Sequence, residues 1–188
     1  LPGSRPKEIQ YLLPVMLDAV ARLAAGGERQ FALALAPTVD RTLIDAMVAA
    51  RGVPVRLVEG DTYNLVAAAD LALVTSGTAT LECALLECPM VIVYRTSALT
   101  ALLGRLLIHG VKHIGMPNII ADREIVPELI QGAASGDRIA AVAHEILAEP
   151  ARAAAMRRDL REIRQRLGRG GAAGRAADLA VQLLDRRR

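Results

Sequence analysis

Four short apolar runs, at 31–36, 55–58, 71–74 and 90–93, alternate with segments of eight to thirteen residues that carry helical spacing. Runs this short and this apolar suit strands buried on both faces, and helical segments between them suit connections that cross back over a sheet. The alternation predicts crossover units, hence an α/β fold with a doubly wound parallel sheet. Leu43, Ile44, Met47 and Val48 mark the apolar face of the helix at 39–51, which Gly52 and Pro54 close. Shorter helices are expected at 62–69 and 79–86, and a longer one from Pro6 to Ala25. That longer helix should follow a strand, of which only Leu1 and Pro2 are present.

After Tyr94 the pattern changes. Leu99, Leu102, Leu103, Leu106 and Leu107 mark one helical face, and Met116-Pro117-Asn118 is expected as a loop before the segment 127–131. Helices at 137–148, 151–167 and 172–184 complete a helical tail spanning 137–188.

With 53% hydrophobic residues in 188, the chain has material for one domain with a real core. Asp70, Glu82, Glu87, Arg95, Arg105 and Lys112 interrupt its most apolar third, which excludes a spanning helix there. The first residues lack the pattern of a signal peptide and do not begin with Met, so a piece of a longer protein is expected. Two cysteines, Cys83 and Cys88, are too few for a disulfide scaffold and favour a reducing compartment, the cytoplasm by default. Four aromatic residues and no Trp leave little on which nucleic-acid bases could stack. Residues 152–188 carry eleven Arg against Asp159, Glu162, Asp178 and Asp185. That basic end fits either solvated helices or attraction to an anionic membrane, at about 1 kcal/mol per residue that reaches it. The leucine face with Arg105 has the same two readings, sheet packing or contact with lipid.

In doubly wound sheets ligands bind beyond the carboxyl ends of the strands, which directs attention to the loops at Pro37, Gly60, Ser76 and Tyr94 and to Gly3-Ser4-Arg5. Ser76-Gly77-Thr78 lies between a strand and a helix, so the N–H groups of Gly77, Thr78 and Ala79 should point outward as an anion site. The helix start contributes about 0.3–1 kcal/mol per bound charge. Glu82, one turn in, suits sugar hydroxyls better than phosphate, which it would repel. Spacing alone leaves open a plain capping box, in which Ser or Thr followed by Glu only starts a helix. Gly3-Ser4-Arg5 adds a guanidinium able to grip a phosphate at two points, a contact of about 1.5–3 kcal/mol. Asn118, Arg123, Glu128 and Gln131 are polar residues in an apolar stretch and need partners, either a ligand or the loop they anchor. His109 and His113 lack a zinc-protease motif, Cys83 and Cys88 read as small core residues, and neither metal nor cofactor is implied.

LPGSRPKEI at the start, TSGTATLECAL at 75–85, MPNIIADREIVPELIQ at 116–131 and GGAAGRAADLAVQLL ending at Leu184 together resemble the carboxyl-terminal half of bacterial lipid-A-disaccharide synthases. The resemblance covers nearly the whole chain. Its most specific block is PN…VPELIQ, whereas SGT…E also occurs in other nucleotide-sugar transferases. It implies that 1–188 is a Rossmann-like nucleotide-sugar-binding domain, one half of a GT-B fold, cut within its first strand and lacking the acceptor domain. The implied enzyme is an inverting glycosyltransferase. It moves 2,3-diacylglucosamine from UDP onto 2,3-diacylglucosamine 1-phosphate (lipid X), giving a β-1,6-linked disaccharide and UDP. The implied partners are that donor and acceptor and the anionic cytoplasmic face of the inner membrane, with a homo-oligomer allowed and no nucleic acid.

By position, Gly3, Ser4 and Arg5 would approach the diphosphate, with Arg5 stabilising the leaving group. Ser76, Gly77 and Thr78 would do so from the helix start. Glu82 would hold the ribose, and Asn118, Glu128 and Gln131 would line the donor cleft. The general base is expected upstream of Leu1, so this chain alone should bind rather than turn over. Other readings are a different UDP-sugar enzyme, such as a peptidoglycan-type transferase or a 2-epimerase, and a non-catalytic module that binds membrane or nucleic acid.

Overall fold

A computed structural model describes residues 1–97, 100, 110, 112–168 and 170–185. The leucine face at 99–107, His109 and the last three arginines lie outside the described residues.

Helix α1 (Pro6–Ala25) begins on Pro6, whose fixed φ suits the first helical position. It joins two cores. Leu12, Met16, Ala19 and Leu23 enter the larger one, while Ile9, Leu13 and Leu17 pack with Leu33, Leu35 and Ile44 in the smaller. These rows follow from residues three and four apart sharing a helix face.

Among the described residues all strand pairs are parallel, as the alternation predicts. Strand β1 (Phe31–Leu35) leads through α2 (Arg41–Arg51) to β2 (Val55–Glu59), with Phe31 opposite Val55. Asp40 caps α2 by accepting from the Thr42 N–H at 2.9 Å, and left-handed Gly52 ends it. After α3 (Thr62–Ala68), β3 (Ala72–Thr75), α4 (Thr78–Leu85) and β4 (Met90–Tyr94) follow, with Ala72 opposite Met90. Strand β5 (Glu128–Ile130) extends this sheet on the far side of β4, giving three strands beside the two of β1 and β2.

Leu1 pairs with the free edge of β3. Its ammonium donates to the Leu73 carbonyl at 2.9 Å and its own carbonyl accepts the Thr75 N–H at 3.0 Å, the pairing of a parallel ladder centred on Val74. Leu1 and Pro2 thus occupy the β3 edge opposite β4. Beyond them a cleft of about 1530 Å³ reaches to Phe31, Ala32 and Leu33 of β1.

Two sequence expectations change. The segment expected as a loop at Met116 is a short helix, α5 (Met116–Ala121), because Pro117 sits in its first turn, where no internal N–H bond is required. The strand β5 was not anticipated. The tail is helical as expected: α6 (Gly136–Ala148), α7 (Pro150–Leu167) and α8 (Ala172–Asp185). Helices α6 and α7 are part of the main core, through Ile139, Val142, Ile146, Met156, Leu160 and Ile163. A Cβ on Gly136 would lie 2.6 Å from that of Asp18, so glycine there lets α6 approach α1. Leu179, Val181, Leu183 and Leu184 of α8 remain exposed. Cys83 and Cys88 are core residues, and burial pushes their thiols up to about 11 and about 12.

Candidate functional site

The Leu1–Val74 pairing fixes what lies at the carboxyl rim of the sheet. The chain turns at Gly3-Ser4, two residues past Leu1, and at Ser76-Gly77, two residues past Val74, so both turns leave the same end of the paired segments. Thr38, in the loop after β1, ties the same turn from the other side by donating its hydroxyl to the Ser4 carbonyl at 2.8 Å. The chain leaves for β1 on one side and β3 lies on the other, which is a topological switch point.

Gly77 is the N-cap of α4 at φ 156°, ψ −162°, a conformation close to glycine-only, and nothing lies within 4 Å of where a Cβ would be. The N–H groups of Gly77, Thr78 and Ala79 have no hydrogen-bond partner among the described residues, and no side chain caps the helix. The capping-box alternative therefore does not describe α4. Half-buried Glu82 instead has Oε1 3.5 Å from the hydroxyl of Tyr63, an exposed residue in the first turn of α3. Ser76 does not present a free hydroxyl: its Oγ donates to the Ile114 carbonyl at 2.9 Å. Thr80, fully buried, donates to the Gly77 carbonyl at 2.7 Å and holds the turn from below.

The Gly3-Ser4-Arg5 turn differs from the α4 start. Glu8 Oε2 accepts the N–H groups of Ser4 and Arg5 at 3.2 and 3.4 Å, and Oε1 accepts Arg5 Nη1 at 3.2 Å. Gly3, at φ +107°, leaves room for that carboxylate, since a Cβ there would lie 2.5 Å from Glu8 Oε2. The Arg5 side chain is 81% exposed, so its guanidinium stands in solvent at the rim.

Asn118 is fully buried. Its Oδ1 accepts from the Ile125 and Val126 N–H groups, and its Nδ2 donates to the Val126 carbonyl at 2.8 Å and to Glu128 Oε1 at 2.7 Å. Glu128 also accepts the N–H groups of Ile114 and Gly115 at 2.9 and 3.0 Å. These bonds anchor the loops at 114–115 and 122–127, the alternative that sequence left open for this polar set. Arg123 grips Asp159 of α7 at 2.7 and 3.3 Å, away from the Asn118 cluster. Gln131, at φ 53°, accepts the Thr96 N–H at 3.4 Å and lines a separate recess with Tyr11, Arg95 and Ser97.

A family model described as lipid-A-disaccharide synthetase matches residues 1–182. The chain belongs to that family. The lipid-A-disaccharide synthase of Syntrophus aciditrophicus (strain SB) is 50% identical over 186 residues, covering 98% of this chain and 48% of that protein. The synthase of Anaeromyxobacter sp. (strain K) is 47% identical over 180 residues, 95% of this chain and 47% of the relative. That of Myxococcus xanthus (strain DK1622) is 44% identical over 187 residues, 98% and 48%. The chain thus spans about half the length of the curated relatives it matches.

In this member of the lipid-A-disaccharide synthetase family, the turns Gly3-Ser4-Arg5 and Ser76-Gly77-Thr78 both lie at the carboxyl end of the Leu1–β3 pairing, with Glu82 one turn further along α4. Asn118 and Glu128 support that rim from behind, through Ile114 and Ser76. Sequence reasoning missed Glu8, Thr38, Tyr63 and Thr80. Only Glu8 carried a signal, an acid three residues after the helix cap.

Proposed function

We propose that this chain is the UDP-sugar-binding part of an inverting glycosyltransferase. The full enzyme transfers 2,3-diacylglucosamine from its UDP conjugate to 2,3-diacylglucosamine 1-phosphate, giving the lipid A disaccharide 1-phosphate and UDP. One observation carries this reading: the unpartnered amides at the start of α4 and the solvent-facing guanidinium of Arg5 belong to turns that leave the same end of the paired Leu1 and β3 segments. A diphosphate between them meets helix-start dipoles on one side and a charge-assisted donor on the other.

In this reading Arg5 stabilises the negative charge that grows on the departing diphosphate, and the Gly77, Thr78 and Ala79 amides share it. Glu82 accepts from the ribose hydroxyls. The acceptor site and the general base belong to a part of the enzyme outside this chain, so the 188 residues bind donor without turning it over. The enzyme works at the cytoplasmic face of the inner membrane. Among the described residues no helix is long and apolar enough to cross a membrane, and the exposed Leu179, Leu183 and Leu184 of α8 suit peripheral contact.

Thermal unfolding with and without UDP tests the proposal. Saturating UDP raises the melting temperature of the 188-residue chain, and Arg5→Ala or Glu82→Ala removes most of the rise. No rise with millimolar UDP in a folded sample contradicts it.

A further inference from the structure

The two turns of the rim are unequal. At α4 the leading amides are open, whereas at α1 the Glu8 carboxylate already covers the Ser4 and Arg5 amides and holds Arg5 Nη1. Those are the donors that a phosphate would use. The close fit of Gly3 against Glu8 Oε2 shows a turn shaped around its own anion.

The ion pair itself is a weak rival, because the Arg5 side chain is largely in solvent. A phosphate gripped at two points wins the guanidinium, but the charge of Glu8 stays beside it. That charge acts differently on the two nucleotides of the proposed reaction. Free UDP ends in a phosphate that carries nearly one more negative charge at about pH 7.5 than the same phosphate esterified to a sugar.

We infer that Glu8 is a specificity-determining residue: its carboxylate weakens binding of a free nucleoside diphosphate relative to a diphosphate ester, so the site favours donor over spent nucleotide. The inference rests on the UDP-sugar reading of the rim.

Calorimetric titration of the 188-residue chain with UDP and with the terminal methyl ester of UDP tests it, since the two differ by one charge and little in size. Glu8→Gln keeps an oxygen to accept the Ser4 and Arg5 amides, so α1 retains its cap. The variant is expected to bind UDP roughly threefold to tenfold tighter, with a clearly smaller change for the methyl ester. The gain for UDP should fade in about 0.5 M salt. Equal changes for both ligands, no change, or weaker binding of both overturns the inference and leaves Glu8 as a cap or as an aiming group for Arg5. If the unaltered chain binds neither ligand, the UDP-sugar reading fails and the role of Glu8 falls with it.

Discussion

Leu1 and Thr75 are joined as neighbours in a parallel sheet, the Leu1 carbonyl accepting the Thr75 N–H at 3.0 Å. From this bond it follows that a turn at residue 3 and a turn at residue 76 share one rim, although more than seventy residues separate them. The candidate site exists because of that register.

Thr75 Oγ1 is buried without a hydrogen-bond partner among the described residues. Thr75→Val replaces that hydroxyl with a methyl group of similar size, and denaturant unfolding should show a stability unchanged or higher by about 1 kcal/mol. A loss beyond about 1 kcal/mol would show that the hydroxyl has a partner.

Asn118 makes four hydrogen bonds at zero exposure, three to the backbone of Ile125 and Val126 and one to Glu128. Asn118→Ala strands the Ile125 and Val126 amides and should cost about 2–4 kcal/mol in the same assay. Arg123→Ala breaks only an exposed pair and should cost about 1 kcal/mol or less.

Cys83 and Cys88 should resist alkylation in the folded chain near neutral pH, because burial holds both as thiols, raised to about 11 and about 12. Mass spectrometry after iodoacetamide treatment checks this: labelling should appear only with denaturant.

Much of the fold is legible in the residues. Pro6 and the Gly26-Gly27 pair bracket the apolar period of α1, and the runs at 71–74 and 90–93 have no polar residue to place them anywhere but inside. Strand β5 is not legible, because three residues are too few to show a period. Pro117 misleads for a physical reason: a residue that breaks a helix interior is harmless in its first turn. At the site, Gly77 and Thr78 are readable as a strand-to-helix turn. The occupation of Ser4 and Arg5 by Glu8 and the approach of Tyr63 to Glu82 depend on side-chain directions that spacing does not encode. The anchoring work of Asn118 and Glu128 was one of two readings of the same polar set, and only their bond partners decide it.

In the proposed function the turns at Gly3 and Ser76 form one cradle for a diphosphate. Amide chemical-shift mapping of the isotope-labelled chain during a UDP titration tests this. Saturating shifts with a single affinity are expected at Gly3, Ser4 and Arg5 and at Gly77, Thr78 and Ala79 together, and small ones at Asn118. Shifts confined to one turn, or centred on residues away from this rim, would contradict it.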